Sequence, residues 1–127
     1  MQTLDEFTRA YIEAALWSST TDDDTPMDRD YSVSDIAPET LAKMTADCES
    51  FQKANIEYIA WDNLTHFPHR TSTHEHAGHD FWLTRNHHGA GFWDGDWKEP
   101  AATKLTEAAH AMGEVNLYVG DDGKIYS

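Results

Sequence analysis

A chain of 127 residues, 39 % apolar and 12 % aromatic, holds enough apolar material for one core and too little length for two domains. Nine Lys and Arg stand against 23 Asp and Glu, a formal net charge of −14, which argues against gripping DNA, RNA or an anionic membrane through a broad basic surface. No apolar run is long enough to span a membrane, no apolar segment follows the acidic start as a secretory signal would, and the lone Cys48 excludes an internal disulfide, so a reducing cytosol is expected.

In chain order, the first element is an amphipathic helix from about Leu4 to Trp17, with Thr3 and Glu6 spaced as a capping box and Leu4, Phe7, Tyr11, Ala14 and Ala15 facing inward. Residues 18–37 read as a long acidic connection in which Pro26 excludes a regular helix. A second helix is expected from Pro38 to about Trp61, with a stripe of Leu41, Met44, Cys48, Phe51, Tyr58 and Ile59. Residues 66–79 form a His-rich loop with no apolar period. Phe81–Arg85 and Ala90–Trp93 have strand chemistry around a turn at Asn86–Gly89, and their aromatics supply packing area. A third helix spans Pro100–Met112 with Gly113 closing it. Val115, Leu117 and Val119 alternate as a strand does, Asp121–Lys124 turns, and Ile125–Tyr126 returns. The expected fold over residues 1–127 is one α+β domain: about three helices with a small antiparallel sheet from two C-terminal hairpins.

The charge is uneven. Residues 1–65 hold 14 acids and 4 bases, net −10; residues 66–127 hold 9 and 5, net −4, together with all eight histidines. Asp22, Asp23, Asp24, Asp28 and Asp30 crowd into nine positions, whereas Glu39, Lys43 and Asp47, and likewise Glu49, Lys53 and Glu57, pair acids with lysine at helical spacing. The five aspartates are therefore the candidate contact to a basic groove. As a nucleic-acid mimic they would be dilute, about one charge per 6 Å of extended chain against one per ~1.7 Å of duplex axis.

His74, His76 and His79 lie within six positions, and three imidazoles converging from a folded-back loop could hold zinc, with Asp80 or water as a fourth ligand. The stretch Thr73–His79 resembles the Thr-His-x-His-x-Asp-His metal motif of the metallo-β-lactamase superfamily. Gly78 stands where that motif has its aspartate, and the chain is too short for that two-sheet fold. Asp94-Gly95-Asp96 starts like a calcium loop, but Lys98 and Glu99 break the pattern. No nucleophile elbow, phosphate-cradling glycine loop or zinc-protease helix motif occurs, and Cys48 sits on an apolar stripe as a buried thiol would, so an enzyme is the weaker reading.

The stretches Ala77-Gly78-His79-Asp80-Phe81-Trp82-Leu83-Thr84-Arg85-Asn86 and His88-Gly89-Ala90-Gly91-Phe92-Trp93-Asp94 resemble a segment of small bacteriophage and prophage proteins. Asp35-Ile36-Ala37-Pro38-Glu39-Thr40 and the tail Tyr118-Val119-Gly120-Asp121-Asp122-Gly123-Lys124-Ile125-Tyr126 are similar to the same group, while the loop from His66 to His76 lies outside the pattern. The resemblance implies a phage-encoded protein made in a bacterial cytoplasm and assigns no catalytic residue. Joined to the acidic excess, it leads to the expectation of an accessory protein that binds and inhibits a host nucleic-acid-directed defence complex, of anti-CRISPR or anti-restriction type. The expected partner is a basic protein or nucleoprotein, without direct nucleic-acid or membrane contact. The alternatives are a zinc-binding module or metal-dependent hydrolase built on His74, His76 and His79, for which zinc is the one candidate cofactor, and a structural component of the virion.

Overall fold

A computed structural model describes residues 4–65 and 72–127. Its helices are α1 (Glu6–Ser18), the single turn α2 (Met27–Asp30), α3 (Pro38–Ala54), α4 (Thr73–Arg85) and α5 (Ala101–Ala111); β1 (Tyr118–Val119) and β2 (Ile125–Tyr126) pair antiparallel. The chain is thus mixed helix and sheet, but helix dominates and, among the described residues, one C-terminal hairpin forms rather than two.

α1 begins at Asp5, whose Oδ1 accepts the Thr8 N–H at 2.8 Å, satisfying one of the amides that a helix start leaves without a partner. Thr3, half of the expected capping box, lies outside the described residues. α1 packs most extensively against α4, α3 lies against α1, and α5 lies against α4. The aromatic core follows from these crossings. Phe51 of α3 stacks on Phe81 of α4 with ring centroids 4.0 Å apart, Tyr11 of α1 meets Phe81 at 5.2 Å, and Phe92 closes on Phe51 at 5.8 Å. Cys48 is fully buried among them and desolvation pushes its thiol well up, as expected of an inert cysteine.

The largest departure from the sequence reading is α4. Residues 73–79 are helix rather than loop, and Phe81–Arg85 continue that helix rather than forming a strand. Ser72 caps it, its Oγ accepting the Glu75 N–H at 3.2 Å. Ala77, Gly78 and all of Asp80–Arg85 are buried while His74 and His79 are exposed, so the second half of α4 is enclosed on every side, the first half is mostly polar, and no apolar stripe runs along the helix to betray its period. Gly91–Trp93 form a bend and turn rather than a strand: Thr84 Oγ1 accepts the Phe92 N–H at 3.0 Å and Gly91 has φ 153°. Phe92 is buried as expected, but Trp93 is exposed.

α3 stops at Ala54, seven residues before the expected end at Trp61. Asn55 turns its side-chain amide back to donate to the Phe51 carbonyl at 2.9 Å, and Ile59 then packs from turn structure. Of the expected strand Val115–Val119 only Tyr118 and Val119 enter the ladder. The hairpin is tied to the start of α3 by the Ala37 N–H donating to the Ile125 carbonyl at 2.9 Å.

Candidate partner-binding surface

The acidic connection is folded. The Met27 N–H donates to the Ser19 carbonyl, the Thr21 N–H to Thr25 and the Asp24 N–H back to Thr21, each at 2.9 Å, closing residues 19–27 into a tight turn with Asp22, Asp23 and Asp24 at its tip. Asp24 has φ 63°, a left-handed backbone that aspartate and asparagine tolerate better than most residues. The Thr21 hydroxyl donates to the Asp23 carboxylate, and this bond, followed by one from Thr25, holds the Asp23 carboxyl below the usual range and so keeps it ionised. Pro26 precedes the α2 turn, whose Asp28 and Asp30 are exposed on either side of Arg29, the only basic residue between positions 18 and 37.

All five aspartates named from the sequence are exposed. The structure divides them. Asp22, Asp23, Asp24 and Asp30 rim one groove of about 670 Å³ against Tyr31 and the β1 strand, where Tyr118 is half exposed and stacks on Tyr126 at 5.9 Å. Asp28 lines a different, more apolar groove beside α1. Carboxylates around tyrosine rings suit lysine or arginine side chains, which gain charge attraction from the rim and cation–π contact from the rings. Nothing local to the acidic run signalled Tyr118; the tail hairpin, tied at Ile125 to Ile36 and Ala37, delivers it from nearly a hundred residues away.

The three candidate zinc ligands do not come together. On α4, His74 lines a groove with Asp5 and Gln52 on one side, His79 lies 6.2 Å from the Trp17 ring on another, and His76 points at a third set of groups. The physical reason is the helix itself for His74 and His76, which stand two apart and so on opposite sides of it, whereas His76, three positions from His79, is turned to Asp80 and Asp96 while His79 faces Trp17. Among the described residues no group of three or more His, Cys, Asp or Glu is placed to hold a metal.

His76 is instead part of a partly buried charge cluster. Its Nε2 lies 3.3 Å from Asp80 Oδ2, one helical turn on, and 3.2 Å from Asp96 Oδ2 in the loop before α5. Asp80 Oδ2 also accepts the Trp97 indole N–H at 2.8 Å, with Asp80 and Trp97 both buried. Burial disfavours the His76 cation, but Asp80 and then Asp96 outweigh it, so its pKa stands above the ordinary histidine value. Burial, with Asp80 and Asp96 adding repulsion, also raises the neighbouring Asp94 carboxyl. The cluster fastens the 94–97 loop onto α4, and Asp96, twenty residues from His76, carried no sequence signal for it.

No family model matches this chain, and no curated protein or solved structure matches it either. No helix among the described residues is long and apolar enough to cross a membrane.

Proposed function

We propose that this chain is an acidic binding protein whose 22–30 face engages the basic groove of a partner and blocks it. The observation that carries the reading is the groove rimmed by Asp22, Asp23, Asp24 and Asp30, in which a hydrogen-bonded turn holds three carboxylates and α2 a fourth in water beside Tyr31 and Tyr118. Ordering the acids before binding removes part of the entropy cost that a disordered acidic tail would meet on its target. The resemblance to phage proteins supports a host partner in a bacterial cytoplasm, and a nucleic-acid-directed defence complex is the class whose working grooves are basic.

The test is affinity capture of host protein by the untagged face, followed by titration of the purified partner at two salt concentrations. The wild-type chain should bind a basic protein and lose much of its affinity as salt rises from about 50 to about 200 mM. The variant with all five aspartates changed to asparagine should lose that binding. Asparagine keeps the shape, can still accept the Thr21 hydrogen bond and tolerates the Asp24 backbone, so the fold should survive. Equal binding by the five-asparagine variant would overturn the proposal.

A further inference from the structure

The acidic groove has a neighbour. Tyr31 lines both it and a second groove of about 670 Å³ between α1 and the segment that follows α2. The second groove is largely apolar: Ile12 and Leu16 contribute from α1, and Trp17 and Val33 stand in it 58 % and 40 % exposed. A concavity of this size with indole and aliphatic surface left in water is suited to receive an apolar side chain. Its lining sets the carboxylates of Glu13 and Asp28 against Arg9, with His79 beside Trp17, and Asp28 belongs to the same turn that carries Asp30 to the acidic groove.

We infer that this groove takes an aromatic or branched aliphatic anchor on a basic polypeptide segment, whose flanking lysines or arginines run across Tyr31 toward Asp30 and the Asp22–Asp24 turn. The inference rests on the reading of the acidic face as a partner surface and adds the partner's anchor to it. Charge complementarity selects the occupant. A carboxylate ligand or an acidic peptide would bring negative charge to a rim already negative, and a second copy of this chain would bring a net −14 of the same sign. A purely polar basic tail would leave Trp17 and Val33 in water.

The probe is a short amidated peptide with a central Leu-Trp-Leu anchor and lysine flanks, compared with one in which the flanks are glutamate, each titrated into the isotopically labelled full chain and followed by NMR. The lysine-flanked peptide should shift the Trp17 indole, the Ile12, Leu16 and Val33 methyl groups and the Asp30 amide together, and the glutamate-flanked peptide should not. Trp17→Ala, and separately Val33→Ser, should weaken binding with unchanged thermal melting, the tryptophan variant by at least about tenfold, as expected for an aromatic anchor. Shifts confined to Asp22–Asp24 and Tyr118, undiminished by Trp17→Ala, would overturn the inference while leaving the acidic face standing. Equal binding of both peptides, no binding of the lysine-flanked one, or a concentration-dependent dimer abolished by Trp17→Ala would each overturn it too. The acidic face is judged separately, by the five-asparagine variant.

Discussion

A Cβ added at Gly78 would fall 2.0 Å from the carbonyl oxygen of Phe7, inside any permissible contact, because α1 and α4 approach there backbone to backbone. Glycine in mid-helix costs up to about 1 kcal/mol relative to alanine, so its presence is explained by packing rather than propensity. Gly78→Ala should therefore destabilise by about 3 kcal/mol or more, at the upper end of overpacking costs, which a urea or thermal melt will register. His76 makes a prediction in pH. Its folded pKa is raised by Asp80 and Asp96 above the ordinary 6.5, so its contribution is complete below pH about 6.5 and is lost as pH rises through the folded value. The stability gap between wild type and His76→Gln should accordingly be larger at mildly acid pH than at alkaline pH. A gap independent of pH would show that the imidazole charge contributes nothing. At this scale the sequence was half legible. The five aspartates could be named as charge, and Cys48 as a buried thiol, but the partners of His76 come from a loop that only the folded chain brings near.

Arg85 joins the elements. It is 3 % exposed, with Nε donating to the Gly113 carbonyl at 2.8 Å, Nη2 to Met112 at 3.0 Å, and Nη1 to Tyr11 Oη and Asp47 Oδ2 at 3.0 Å each, while its guanidinium lies 5.2 Å from the Phe81 ring centroid. One side chain thus links α1, α3 and α4 and satisfies carbonyls at the C-terminal end of α5 that the helix leaves without partners. Arg85→Met should cost about 3–5 kcal/mol, since carbonyls and the Tyr11 hydroxyl would lose their donor. Asp47→Asn should cost less, because Asp47 is partly exposed and can be solvated; the two melts together check the asymmetry. Elements with one wet face were readable from sequence. α1, α5 and the tail hairpin stand close to where their periodicity put them, and α3 begins at Pro38 as expected. α4 was not readable because its first half is mostly polar and burial of Asp80–Arg85 on every side erases the contrast on which periodicity depends, and the run of Phe, Trp and Leu then mimics strand composition.

For the whole molecule, a net charge of −14 on a surface of 7355 Å² would by itself do no more than keep the chain dispersed in solution. The fold brings the acidic turn beside β1 and sets α2 between two grooves, an arrangement that pairs residues about ninety positions apart and that no local pattern encodes. The measurement that bears most directly on the acidic face is the association rate with the purified partner as a function of ionic strength, for wild type and for the five-asparagine variant. Steered encounter should give the wild type a rate that falls steeply with salt, and the variant a slower rate with little salt dependence. A wild-type rate indifferent to salt, or a variant as fast as wild type at low salt, would contradict the account.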